Sequence, residues 1–346
     1  MIRMLALLVV LLALPVQAGA LSITAPTVPE AGAQVMPQTT DSFAQGLRTL
    51  LQRALELLRP ELREAAKISL SVVAAVLMAT VVQMVSQERK SLVELTTVGA
   101  VAAMLLERTN SLIRLGMDTV QELSQYGKLL LPVMTAALGA QGGVGTGAAL
   151  YGGTAVFDAI LSSLIARLLA PMLYLFLALA TASGALGEEH LRKMRDAVKG
   201  LVSWSLKTLL TVFTTYMSVT GVVSGTTDAA ALKATKLTIS SVVPVVGGIL
   251  SDASEAVLIS VGLLKNSAGI YGILAALAVF LTPFLRIGTQ YLMLKLTAAV
   301  CGMFGGRAAV ELIGDFSTAM GLLLAMTGSV CLMLLISTVC FLKGMG

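Results

Sequence analysis

Between Thr220 and Asn266 an apolar, membrane-grade background carries Asp228, Lys233, Lys236, Asp252, Glu255 and Lys265, arranged around Pro244, Gly247 and Gly248. The chemistry open to such a set is charge pairing and contact with ions or water at depth. Charged side chains there cost on the order of 2.5–3.5 kcal/mol each on insertion scales, so a chain that keeps several beside one break has a use for them. A reversal near Val245 and Gly247 would bring together positions equidistant from the turn: Lys236 with Glu255, and Asp228 with Lys265. Lys233 and Lys236 would share a helix face, as would Asp252 and Glu255, because residues three apart are neighbours. Pairing removes much of the insertion penalty, and Pro244 with the two glycines is tolerated at depth where the freed backbone is buried in protein or lines water. The competing reading is a short loop outside the membrane between two ordinary spans.

Other chemistries find no support. His190, the single histidine, has no partner cysteines or histidines and no Ser-His-Asp set around it, and reads as a solvated loop residue. The glycines from Gly139 to Gly153 lack a Gly-Lys-Ser/Thr sequence and a preceding strand, so close helix approach or a turn explains them better than a phosphate cradle. Cys301, Cys331 and Cys340 lie in apolar segments without metal-ligand spacing and read as packing residues. No catalytic, cofactor-binding or metal-binding residues are assigned.

The elements that must position the charged segment follow from composition. With 346 residues, 56% hydrophobic and 12% charged, and a mean hydropathy of +0.89, the chain has more apolar surface than a soluble core can bury. The expected fold is all-α: a polytopic helical membrane protein with a broken-helix hairpin and amphipathic extramembrane helices. The net charge of +5 is scattered rather than clustered, which suits contact with the lipid bilayer and argues against nucleic acid.

Residues 1–18 read as a signal peptide, with Arg3, an apolar stretch to Leu14, and small residues at Val16 and Ala18. Residues 19–66 read as an exported linker followed by an amphipathic helix from Asp41 to Leu58. Residues 67–200 form an N-terminal membrane block, with spans at Ile68–Val85, Leu92–Leu106, Lys128–Leu150 and Val156–Ser183, a surface helix at Thr109–Gly127 and a polar loop at 187–199. Asp158 and Arg167 lie in the last of those spans, with a kink expected at Pro171. Residues 201–346 form a C-terminal block containing the hairpin, 224–266. Its other spans are Leu201–Val223, Ile270–Thr282, Ile287–Phe304 and Ala319–Leu342, with Arg286 and Lys295 read as snorkelling ends. The positive-inside rule and simple alternation give opposite sides for the 187–199 loop.

The run SGTTDAAALKATKLTISSVVPVVGGILSDASEAVLISVGLLKNSAGIYG, ending at Gly272, resembles the signature region of the stage III sporulation protein AE family of endospore-forming bacteria. The layout of signal, exported helix and C-terminal multi-span block agrees along nearly all of the chain. The resemblance implies an integral membrane component of the channel, or feeding-tube, apparatus between mother cell and forespore. It implies residence in the mother-cell membrane surrounding the forespore, with ring-forming proteins and a secretion-type ATPase as partners. No cofactor or catalytic residue is implied.

Two classes of function compete. One is a non-enzymatic subunit of a transport complex with the charged hairpin at its centre. The other is a self-contained secondary transporter with a broken-helix site, a feature such carriers share. The chain shows no two-fold internal repeat, which favours the subunit, and an enzyme ranks third because no nucleophile-base set emerges.

Overall fold

The run from Ala319 to Leu342 is apolar on every side, and a helix of that kind belongs in the middle of a bundle. A computed structural model of the protein describes residues 29–33, 36, 43–85, 90–140, 144–219, 267–304 and 306–344. After a helical turn at Glu30–Ala33, the helices are α1 (Phe43–Val85), α2 (Lys90–Ala140), α3 (Val144–Leu164), α4 (Ala170–Leu186), α5 (Glu189–Val219), α6 (Ser267–Cys301) and α7 (Arg307–Gly344). The fold is all-α, without strands among the described residues.

Helix α7 is central and packs against α2, α3, α4, α5 and α6. Its most apolar stretch is 94% buried. The hydroxyls it carries there are satisfied within the helix: Thr327, Ser329, Ser337 and Thr338 each donate to the carbonyl four residues back. Helix α1 packs on α2 and α6, yet its most apolar stretch is only 11% buried. Leu70, Leu77, Met78, Val81 and Val82 face outward there. In water that face would be a liability; in lipid it is a span.

Four stretches are long and apolar enough to cross a membrane: Ala44–Val85, Gly147–Leu186, Tyr271–Cys301 and Arg307–Lys343. The chain is therefore a multi-pass membrane protein.

The structure joins several elements that the sequence reading separates. The amphipathic helix before Leu58 and the span Ile68–Val85 are one helix, α1, with Pro60 inside it. Leu92–Leu106, Thr109–Gly127 and most of Lys128–Leu150 are also one helix, α2, which ends at Ala140. The mixed charge of Thr109–Gly127 lies off a stripe of Leu112, Ile113, Val120 and Leu123 that is buried in the core, so packing carries the helix through. Ile270–Thr282 and most of Ile287–Phe304 merge likewise in α6, which runs through Pro283 and ends at Cys301.

The expected loop 187–199 is corrected most. Gly187, at φ 71°, closes α4 in the left-handed conformation that glycine adopts without strain, and the helix resumes at Glu189. Residues 189–199 are the first turns of α5, because Leu191, Val198, Val202 and Leu206 continue one inward stripe. The kink expected at Pro171 is a π-helical turn, Ile165–Leu169, directly before it, in which the Ala170 N–H reaches back to the Ile165 carbonyl. Proline has no N–H for a carbonyl four residues back, and a π-turn is a standard way to absorb such a break.

Candidate functional site

The inward stripe at the start of α5 contains one residue that hydrophobic patterning would not put there. Arg195 is only 9% exposed along its side chain and meets the first turns of α7. Its guanidinium Nη1 donates to Asp315 Oδ2 at 2.6 Å and to Glu311 Oε1 at 3.0 Å, and its Nε donates to Asp196 Oδ1 at 3.1 Å. Arg192, one turn earlier in the helix, reaches the other Glu311 oxygen at 3.2 Å. Burial works against the charge on Arg195, but Asp315, Glu311 and Asp196 outweigh it, so the proton is held more firmly than on an ordinary guanidinium. The group is a fixed cation that clamps α5 to α7.

A second network joins the other side of the bundle. Glu61 of α1, 13% exposed at its side chain, receives one arginine on each oxygen: Arg108 of α2 at 2.6 Å and Arg286 of α6 at 2.9 Å. Arg108 also donates to Glu64 at 3.1 Å. The rigid guanidinium fork serves two carboxylates one turn apart, which a lysine could not do as well. Beside this network a groove of about 460 Å³ runs along α2, lined by Glu107, Asn110, Arg114, Asp118 and Arg286 among others. Arg286 is thus an inter-helix partner rather than a snorkelling end, whereas Lys295 is exposed and lies 5.9 Å from the Tyr291 ring centre.

The residues singled out in the sequence, Asp228, Lys233, Lys236, Pro244, Gly247, Gly248, Asp252, Glu255 and Lys265, lie outside the described residues. The described helices do show where that segment is attached. The Tyr216 hydroxyl donates to Ala149 O and Thr154 to Ser337, which puts the end of α5 beside the last turns of α7. Gly272 abuts Leu130, and Gly127 abuts Leu334, which puts the start of α6 at that same end. Val219 and Ser267 therefore lie at one end of the bundle.

The remaining expectations divide. His190 is exposed, and the three cysteines are buried and unbridged. In the glycine-rich stretch the close approach is at Gly153, where a Cβ would lie 2.2 Å from the Tyr216 ring; Gly145 meets open space, and Gly143 lies outside the described residues. The sequence reading missed Glu61, Arg108, Arg195, Glu311 and Asp315. For Arg195 the signal was available, since a lone arginine in the Leu191–Val198–Val202 stripe requires buried acids on a neighbouring helix.

Comparison with known proteins agrees with the resemblance in the sequence. The family described as stage III sporulation protein AE matches residues 34–344. The chain is 24% identical over 221 residues to stage III sporulation protein AE of Bacillus subtilis (strain 168), an alignment covering 64% of this chain and 55% of that protein. The match thus spans about half the length of that relative. No solved structure matches. A family match that runs from before α1 to the end of α7 leaves one conclusion: this chain belongs to the stage III sporulation protein AE family.

Proposed function

We propose that this chain is a non-enzymatic membrane subunit of the channel apparatus between mother cell and forespore, placed in the mother-cell membrane around the forespore. The observation that supports this beyond family membership is a difference between two faces near the start of α7. Thr80 of α1 donates to Phe304 O, just before α7 begins, and Arg195 of α5 pairs with the first turns of α7. Both helices thus run past the start of α7, their contacts two to three turns apart along it. In that region α1 exposes Leu77, Met78, Val81 and Val82, whereas α5 exposes Glu189, His190, Lys193 and Asp196. One side suits lipid and the other suits water or a polar partner, as a subunit bordering an aqueous passage requires. Both arginine networks are spent on holding helices together, which is scaffold chemistry. Ring-forming proteins and a secretion-type ATPase are the proposed partners.

Cysteine accessibility tests the reading in sporulating cells. Leu77→Cys and Val81→Cys should resist a charged maleimide, Lys193→Cys and Asp196→Cys should react, and the partners should co-purify with the chain after mild extraction. Equal reactivity on α1 and α5 would remove the argument. Net solute transport by the purified chain alone in liposomes would favour the self-contained transporter instead.

A further inference from the structure

The acids of the two networks, Glu61, Glu64, Glu311 and Asp315, all rest on guanidinium groups. Asp158 does not. It lies in the candidate span Gly147–Leu186, 8% exposed, with no ion pair to it among the described residues. Its hydrogen-bond partner is a hydroxyl: Ser124 of α2, itself buried, donates to Asp158 Oδ2 at 2.6 Å. The same face of α3 continues polar in both directions. One turn before it, Thr154 donates to Ser337 of α7 at 3.0 Å; one turn after it, the Ser162 hydroxyl is shielded and has no hydrogen-bond partner among the described residues. Residues four apart share a face, so Thr154, Asp158 and Ser162 form a polar stripe through an otherwise apolar helix.

We propose that Asp158 is a proton-binding carboxyl within the membrane, taking one proton from water that reaches this stripe and returning it, with Ser124 as its standing hydrogen-bond partner. The reaction is the simple equilibrium of a carboxylate and a proton with a carboxyl group. An unpaired carboxylate at this burial is costly, whereas the neutral acid is far less so. A serine hydroxyl donates to the carboxylate and accepts from the acid O–H, so the hydrogen bond survives in both states without movement of a helix. Among the described residues, the charged and titratable groups nearest in sequence to these contacts are Glu122, Tyr126 and Lys128 of α2, the Tyr216 phenol of α5 against Phe157, and Cys340 of α7, one turn past the Ser337 hydroxyl. Lys128 is exposed one turn along α2 from Ser124.

The probe is dicyclohexylcarbodiimide, an apolar reagent whose C=N bond takes up the O–H of a protonated carboxyl and leaves an acylurea adduct of defined mass. The full chain is treated in liposomes across a range of pH, and the Asp158 peptide is read by mass spectrometry. The adduct should form at acidic pH and fall by about tenfold per pH unit once the group is mostly ionised. The adduct should map to Asp158, and Asp158→Asn should lose it. Failure of Asp158 in the folded protein to react at any pH would overturn the proposal, as would labelling independent of pH. Protection by sodium at constant pH would also overturn it, since the site would then hold a metal cation. None of these readings depends on the channel assignment.

Discussion

Replacing Arg195 by methionine tests whether the α5–α7 clamp holds the bundle together. The substitution keeps much of the side chain's volume and removes the cation that faces Asp315, Glu311 and Asp196. Asp315, 14% exposed at its side chain, would then lie beside Glu311 with only Arg192 nearby. Breaking a buried pair by removing one partner costs about 3–5 kcal/mol, and the partial exposure of Glu311 argues for the lower figure, so we expect about 3 kcal/mol. At about 2 °C per kcal/mol for a chain of this size, the melting temperature in detergent should fall by roughly 6 °C. The double change Arg195→Met with Asp315→Leu removes the orphaned carboxylate as well and should recover most of the loss, because a buried ion pair exchanged for apolar residues is often neutral. Thermal unfolding followed by tryptophan fluorescence reports directly, since Trp204 is the single tryptophan and lies on α5. A silent Arg195→Met, or a double variant no better than the single, would show that the network does not stabilise the fold.

Two further expectations come from other contacts. Gly153→Leu should cost about 1–3 kcal/mol, because its side chain must displace the Tyr216 ring that Phe157 and the Ala149 carbonyl hold in place, whereas Gly145→Ala should be neutral or slightly stabilising; unfolding in the same detergent compares them. Glu61→Gln should leave Arg108 and Arg286 facing each other without their shared anion, and a double-mutant cycle with Arg286→Met should give a coupling of about 1–3 kcal/mol; a coupling near zero would mean that the three helices are held by apolar contact alone.

The sequence made the class legible because membrane helices carry their own signal. Apolar runs such as Ile68–Val85 and Ala319–Leu342 are decided locally, and both lie in helices where the hydropathy puts them. Element boundaries were less legible, because a proline or a charged turn reads as a stop even where packing overrides it. Pro60, Pro132 and Pro283 all lie inside continuous helices. One missing hydrogen bond is a small loss against the buried contacts that a helix of more than thirty residues makes with its neighbours. The polar run 187–199 resembles a loop by composition, yet its apolar period is helical.

The partners within the candidate site were hidden for a different reason, which is sequence distance. Arg195 meets Asp315 across 120 positions, so no spacing rule connects them. Once the helices are placed, the two networks take on a common meaning. Ser317 of α7 donates to the Tyr291 carbonyl of α6, and the two helices run in opposite directions, which puts Arg286 opposite residues just past Ser317 and Asp315 just before it. The two arginine clusters therefore fall within roughly 10 Å of each other along the axis of α7. On one side of that layer lies the apolar α7 run; on the other lie the exposed apolar face of α1 and the charged face of α5. A layer of fixed ion pairs between two such regions resists sliding of one helix past another, because any shift of a turn would leave several charges unpaired in a poorly hydrated place. It thereby fixes the register in which α1 meets lipid and α5 meets its polar surroundings.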